Sequence, residues 1–264
     1  MGEVVLVGLG LHDEKGISLK GLEEVKSAEN VFAELYTSLL PGFSVKRFEE
    51  ISGKKVRVVS RRELEDENGQ VIFKAVEKGK VVLLVPGDPF IATTHIALRL
   101  EAEKRGIKTR IIHGASIMSA AIGLTGLHNY KFGRSVTIPF PENFSKTPYE
   151  VIVQNRELGL HTLCFLDIDT EEKRYLSIRE ALEMLLKVEA IQKRGVVTNE
   201  TLALGIARAG SPNPAVKADD VRAMLDFNFG SPPYILIFPG RLHFMEAKAL
   251  VAFAKAPLKV MEIV

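Results

Sequence analysis

Pro86-Gly87-Asp88-Pro89 follows the aliphatic run Val81-Val82-Leu83-Leu84-Val85 without a spacer, which puts one acid at the mouth of an apolar segment. The run is mostly β-branched and reads as a buried strand. Two prolines fix φ on either side of a glycine that can take positive φ. The turn is therefore stiff, and its main chain can come close to a ligand. Asp88 offers a carboxylate acceptor there, and Thr93 or Thr94 is placed to cap the helix that follows. Ligands of open α/β sheets bind outside the carboxyl ends of strands. A single acid on a rigid loop suits a ligand with hydroxyls or positive charge better than a phosphate. On these residues alone, a tight turn ending in a solvated aspartate stays open as the other reading.

Three further loops leave apolar runs in the same way: Gly8-Leu9-Gly10-Leu11-His12-Asp13, Arg208-Ala209-Gly210-Ser211-Pro212-Asn213-Pro214 and Pro239-Gly240-Arg241-Leu242-His243. The first is a G-x-G after a strand, but aspartate stands at 13 where a dinucleotide fingerprint needs glycine or alanine. No helix opens there to receive a pyrophosphate. Either close main-chain approach to a ligand or a plain turn accounts for it. The six histidines, His12, His95, His113, His128, His161 and His243, show no HxxxH or HExxH spacing, and most read as turn, cap or surface residues, so no metal site is expected. Neither G-x-S-x-G nor GxxxxGK[ST] occurs, which argues against a serine hydrolase and a P-loop phosphotransferase.

Such loops need elements that set strand ends side by side. Strands are expected over 4–7, 30–35, 55–59, 81–85 and 108–113. Helices alternate with them over 19–28 after the Ser18 cap, over 62–77 with a break at Asn68-Gly69, and over 93–105, ended by Gly106. This alternation predicts a mainly parallel sheet with helices on both faces. Small residues over 115–121 predict a short buried helix at a domain junction, giving an N-terminal domain 1–114 and a C-terminal domain 115–264. In the second domain, strands are expected over 135–138, 161–166, 201–207, 234–238 and 258–263. Helices are expected over 148–158, 178–190, 219–227 and 244–255, and short connections predict a mixed sheet. The fold class is α/β in two domains, with ligands favoured in an interdomain cleft.

The 264 residues, 46% hydrophobic and 26% charged, suffice for an ordinary core. A net charge of +2 without a dense Lys/Arg run gives no reason to expect nucleic acid or a membrane surface. The N-terminus shows no basic region and no long apolar segment, so neither a signal peptide nor a membrane span is expected. Cys164, the single cysteine, sits in the apolar run Thr162-Leu163-Cys164-Phe165-Leu166 and reads as a small buried hydrophobe, in keeping with a reducing cytoplasm.

Seven segments carry a resemblance that runs nearly end to end: VGLGLHDEKGIS (7–18), AELYTSLLPG (33–42), VPGDPFIATTH (85–95), HGASIMSAAIGLTGLHNYKFG (113–133), GLHTLCFLDI (159–168), ARAGSPNP (207–214) and PPYILIFPGRLH (232–243). The chain resembles the tetrapyrrole-methylase-like class of S-adenosylmethionine-dependent methyltransferases and, within it, the diphthine synthase family. The GDP loop marks only the broad class, whereas AELYTS, ATTH, GLHNYKFG and ARAGS are more specific. The resemblance implies a tetrapyrrole methylase-like fold, a homodimer, and S-adenosyl-L-methionine held folded in the cleft. It implies N-methylation of the 3-amino-3-carboxypropyl-histidine of elongation factor 2, to the trimethyl stage in archaeal members, giving diphthine in diphthamide biosynthesis. Carried over residue by residue, it places the cofactor against Leu11, Asp88, Ile91, Ser116, Ile117, Leu166, Ala209 and Tyr234. Some relatives carry histidine at the last position, so backbone groups or ring packing would make that contact. Ile117, Leu166 and Ala209 suit an apolar adenine slot. Asp88 can accept from ribose hydroxyls or face the cationic sulfonium and amino end. Core packing is the other reading of Leu11, Ile91, Ile117 and Leu166.

Methyl transfer from a sulfonium to a neutral amine is an in-line displacement. It needs alignment, exclusion of water and loss of a proton before each attack. Near-attack positioning supplies roughly 7–11 kcal/mol, so no catalytic base is named. Tyr36, Thr37 and Ser38, after the second strand, can meet the substrate arm, and Lys131 and Arg208 can pair with its carboxylate. A solvated surface role is the alternative for each of the five. Three competing readings remain: a precorrin or uroporphyrinogen methylase, an NAD-dependent oxidoreductase using Gly8-Leu9-Gly10, and a non-catalytic adaptor on the translation apparatus.

Overall fold

In the computed structural model, which describes residues 2–262, the aliphatic runs of the first half form one parallel sheet. In chain order the elements are β1 (Glu3–Gly8), α1 (Leu19–Lys26), β2 (Asn30–Glu34), α2 (Val45–Ser52), β3 (Val56–Val59), α3 (Arg61–Leu64), α4 (Gln70–Val76), β4 (Val81–Val85), α5 (Ile96–Lys104), β5 (Lys108–Ile112) and α6 (Ile117–Thr125). The strand order is β3-β2-β4-β1-β5, and these neighbours all pair parallel. Successive side chains leave the sheet on opposite faces. Val4, Leu6, Phe32, Leu83 and Val85 pack with Ile72 and Phe73 of α4 and Leu98 of α5. Val5, Val7, Val31, Val82 and Leu84 pack with Val25 of α1 and Phe48 of α2. Burial on both faces is why these strands read as unbroken apolar runs.

Local chemistry sets the helix ends. Ser18, Ser44 and Ser60 each accept a bond from a first-turn amide, and Glu63 returns a bond to Ser60 in a capping box. Asn68 and Gly69 both take positive φ and separate α3 from α4. The expected threonine cap is corrected: α5 begins after His95, which makes no side-chain cap. Thr93 Oγ1 instead donates to the Pro89 carbonyl at 2.6 Å and Thr94 Oγ1 to Glu65 at 2.8 Å, which ties down the turn rather than the helix.

The second half contains β6 (Val136–Ile138), α7 (Thr147–Glu157), β7 (Thr162–Leu166), β8 (Ile168–Asp169), β9 (Arg174–Tyr175), α8 (Ile178–Gln192), β10 (Leu202–Ala207), β11 (Ala215–Asp220), α9 (Val221–Asp226), β12 (Tyr234–Phe238) and α10 (Phe244–Phe253). Its main sheet runs β11-β10-β12-β7-β6, antiparallel except for the β6–β7 pair, so it is mixed. Tyr149 and Ile152 of α7, Leu182 and Leu185 of α8, and Cys164, Leu236 and Phe238 of the sheet share its core. Burial pushes the Cys164 thiol up, as a small buried hydrophobe requires.

Two expectations are corrected here. The strand over 258–263 is a 3-10 turn, Leu258–Glu262, with Val260 buried and Leu258 exposed, so one turn satisfies the alternating pattern; Ile263 lies outside the described residues. Residues 215–219 pair with β10, so Asp219 is sheet rather than helix, and Asp220 caps α9 by accepting from Ala223 N. By its contacts the chain divides into Met1–Ser119 with Thr170–Glu172, and Ala120–Asp169 with Lys173–Val264, a division that falls inside α6. Among the described residues, no helix is long and apolar enough to cross a membrane.

Candidate active site

In the first unit, β1 lies between β4 and β5, so the loops leaving their carboxyl ends meet. They are joined through main chain. Leu9 N donates to the Val85 carbonyl at 2.8 Å, Gly10 N to the Gly87 carbonyl at 3.1 Å, and Gly87 N to the Gly10 carbonyl at 2.8 Å. Only glycine permits this approach. A Cβ on Gly8 would lie 2.5 Å from the Gly87 oxygen, and one on Gly114 would lie 2.3 Å from the same atom. Gly87, at φ +68°, is different: beyond its chain neighbours Pro86 and Asp88, a Cβ there would meet nothing nearer than the Ala115 oxygen at 3.9 Å. The crossing is crowded on one side and open on the other.

Asp88, the next residue after Gly87, is 8% exposed. Its Oδ2 lies 2.7 Å from His113 Nδ1 and accepts from Gly114 N at 3.4 Å, while Oδ1 accepts from Phe90 N at 3.1 Å. It is not the solvated aspartate of a plain turn. A carboxylate has about four acceptor positions, so one remains for a ligand. Leu11 and Ile117 are half-buried on the neighbouring loops, and Ser116 is buried. Ile91 is 37% exposed, which removes core packing as its explanation. Four of these five expected cofactor residues thus belong to the three laced loops, and Ile117 opens α6 directly after the third.

A second cluster closes the carboxyl end of β2. Glu34, with no exposed surface, accepts through Oε2 from Tyr36 N and Thr37 N at 3.1 Å each. Through Oε1 it accepts from Thr37 Oγ1 at 2.5 Å and faces His95 Nε2 at 3.1 Å. The more specific segments AELYTS and ATTH are therefore joined by one buried pair. Ser38 is half-buried in the same loop. Sequence reasoning selected Tyr36, Thr37 and Ser38 but missed Glu34 and His95. A lone acid closing the apolar strand Asn30–Glu34 was the available signal.

In the second unit, Leu166 ends β7 as a buried core residue, and Ala209 is half-buried in the loop after β10. Tyr234 opens β12, half-buried, with its hydroxyl donating to the Gly230 carbonyl. The two residues expected to pair with a substrate carboxylate each have partners within the chain. Lys131 Nζ is held by Glu246 Oε2 at 2.6 Å and by the Arg241 carbonyl, because a buried carboxylate demands a cation. Arg208 Nη1 donates to the Phe229 and Ser231 carbonyls at 2.7 and 2.6 Å, holding the loop before β12.

Glu246 collects more than Lys131. Its Oε1 accepts from His128 N and from His161 Nε2, both at 2.8 Å, and its Oε2 accepts from His243 N at 2.8 Å. Burial alone would raise its pKa, but Lys131, the two amides and His161 together hold it down to about 2. His161 Nδ1 accepts from Gly240 N at 2.9 Å, which places the ring proton on Nε2. Burial holds His161 below the ordinary histidine range. His95 and His161, 2% and 0% exposed, stand outside the turn, cap and surface roles expected of most of the histidines. His243, which caps α10, and the exposed His113 fit it.

The model of the tetrapyrrole (corrin/porphyrin) methylases matches residues 3–224. The diphthine synthase of Methanosarcina acetivorans is 50% identical over 266 aligned residues, which cover 98% of both chains. That of Methanocaldococcus jannaschii is 45% identical over 251 residues, 94% of this chain and 97% of its own. A crystal structure of a diphthine synthase shares 44% identity and covers the whole of both chains with a TM-score of 0.91.

Proposed function

The chain belongs to the tetrapyrrole methylase family and, within it, to the diphthine synthases, and from that premise we propose how it uses S-adenosyl-L-methionine on elongation factor 2. It is a methyltransferase of diphthamide biosynthesis. The acceptor in this reading is the amine of the 3-amino-3-carboxypropyl-histidine of the factor, methylated in successive rounds to diphthine. A cytoplasmic homodimer is part of the same reading.

The observation that carries it is the glycine crossing at the carboxyl ends of β1, β4 and β5. Its residues suit the cofactor. Gly87 leaves room on its open side, the adjoining main chain is close, and Asp88 keeps one acceptor position. The family resemblance assigns the contacts to Leu11, Asp88, Ile91, Ser116 and Ile117 of these loops and to Leu166, Ala209 and Tyr234. When bound, the cofactor supplies an electrophilic methyl group on a sulfonium. The protein's own work is to shield that group from water and hold the amine in line with it. Tyr36, Thr37 and Ser38 meet the arm of the acceptor. Each round begins with the acceptor ammonium losing a proton to solvent, and no side chain is assigned to take it.

A nicotinamide reading of Gly8-Leu9-Gly10 fails on a local detail. Asp13 accepts from Lys15 N and caps a 3-10 turn, Glu14–Gly16, where a pyrophosphate would need the start of a long helix. The experiment is methyl transfer from labelled S-adenosyl-L-methionine. Label is expected on elongation factor 2 that carries the unmethylated arm, and none on uroporphyrinogen. Labelling of the porphyrinogen alone would overturn the acceptor.

A further inference from the structure

Glu34 is a buried acid that the sheet itself does not need, and all four bonds at its carboxylate point toward the loop after β2 or the start of α5. Burying a carboxylate against an imidazole is costly unless the lone pairs are used, and an apolar pair would join β2 to α5 at lower cost. What the polar pair adds is direction. It fixes Tyr36 and Thr37 against His95, the residue that closes the loop carrying Asp88. Tyr36, fixed in this way, is 6% exposed, and its hydroxyl finds no hydrogen-bond partner among the described residues. Burial first, and then the Glu34 charge and the Glu65 carboxylate, which acts by charge and by hydrogen bonding, push the phenol up, so it stays protonated. The Arg61 guanidinium covers the ring, 5.3 Å from its centroid, and His95 meets it edge-on with centroids 6.5 Å apart. The Glu65 carboxylate near that hydroxyl already accepts from Thr94 Oγ1 at 2.8 Å, which leaves the phenol proton able to turn to a group on a ligand.

We propose that Glu34 and His95 are positioning residues for the methyl acceptor, holding Tyr36 so that its hydroxyl bonds the polar end of the acceptor arm. This rests on the reading above, in which residues 36–38 meet that arm. None of the bonds at Glu34 involves Asp88, so cofactor affinity is a separate readout.

Three variants test it, with elongation factor 2 carrying the unmethylated arm as acceptor. Tyr36→Phe removes one hydroxyl and leaves the ring packing. Glu34→Ala removes all four bonds. Glu34→Gln keeps an acceptor for the two amides and turns its own amide toward Thr37 and a histidine nitrogen that can accept. The acceptor KM should rise about tenfold in Tyr36→Phe and Glu34→Ala, and recover in Glu34→Gln. Affinity for S-adenosylhomocysteine, measured by calorimetry, should stay near that of the unaltered enzyme in all three. A Tyr36→Phe enzyme whose acceptor KM stays within about twofold overturns the proposal. So does a Glu34→Ala enzyme that loses cofactor affinity and kcat together while its acceptor KM is unchanged. Failure of the unaltered enzyme to label the factor would overturn the functional reading itself, an outcome read before any variant is made.

Discussion

Nε2 of His161 lies 2.8 Å from Oε1 of Glu246, and neither side chain reaches solvent. Glu246 has a pKa of about 2 in the folded chain, against about 4.3 when unfolded. Its stabilising effect is therefore complete above about pH 4.3 and is lost as pH falls toward about 2. His161 is shifted downward as well. The unfolded chain takes up that proton first, so burial of the neutral ring favours folding above about pH 6.5 and less below it. Urea unfolding measured from about pH 7 to pH 3 should show stability falling with acid. The fall should be shallower in Glu246→Gln but still present, because Glu24 and Glu189 are also held at about 2. Equal slopes in the two proteins would remove Glu246 from this account.

Two glycines separate steric need from conformational cost. Gly114→Ala drives a methyl to 2.3 Å from the Gly87 oxygen, and such overpacking should destabilise by about 1–3 kcal/mol. It should also weaken S-adenosylhomocysteine binding, since the laced loops must part. Gly123, inside α6, would give an added Cβ no neighbour within 4 Å. Gly123→Ala should stabilise by about 0.5–1 kcal/mol through helix propensity. Denaturation curves that rank the pair the other way would contradict the packing described.

Asp88→Ala removes the acceptor shared by His113, Gly114 and Phe90. Affinity for S-adenosylhomocysteine should fall by about tenfold or more, the worth of one charge-assisted bond. Unchanged affinity by calorimetry would take Asp88 out of the site.

A ligand that binds only the folded state raises the melting temperature by mass action. S-adenosylhomocysteine should do so and NAD should not. The reverse result would restore the nicotinamide reading of Gly8-Leu9-Gly10.

What could be read from the sequence was local. Val81–Val85 followed by Pro-Gly-Asp-Pro gave the strand, the turn and the acid. Ser18 marked its helix, and Asn68-Gly69 marked a break. The misses were tertiary. Residues 215–219 carry too little apolar pattern to declare a strand, and only pairing with β10 makes them one. Leu258–Glu262 alternates like a strand, but it buries Val260 alone. Helix Val45–Ser52 went unseen although Ser44 caps it. Glu34 and Glu246 acquire their meaning from His95 and His161, which lie 61 and 85 residues away, and no spacing rule reaches that far. Glu246, 115 residues from Lys131, and the carbonyls 21 and 23 residues from Arg208 are likewise beyond any spacing rule.

A crystal structure of the chain with S-adenosylhomocysteine tests the central claim most directly. The nucleoside should lie on the open side of Gly87, within hydrogen-bonding distance of Asp88 and the main chain of the β1, β4 and β5 loops. Density for the ligand elsewhere, with that corner filled by ordered water, would contradict the account.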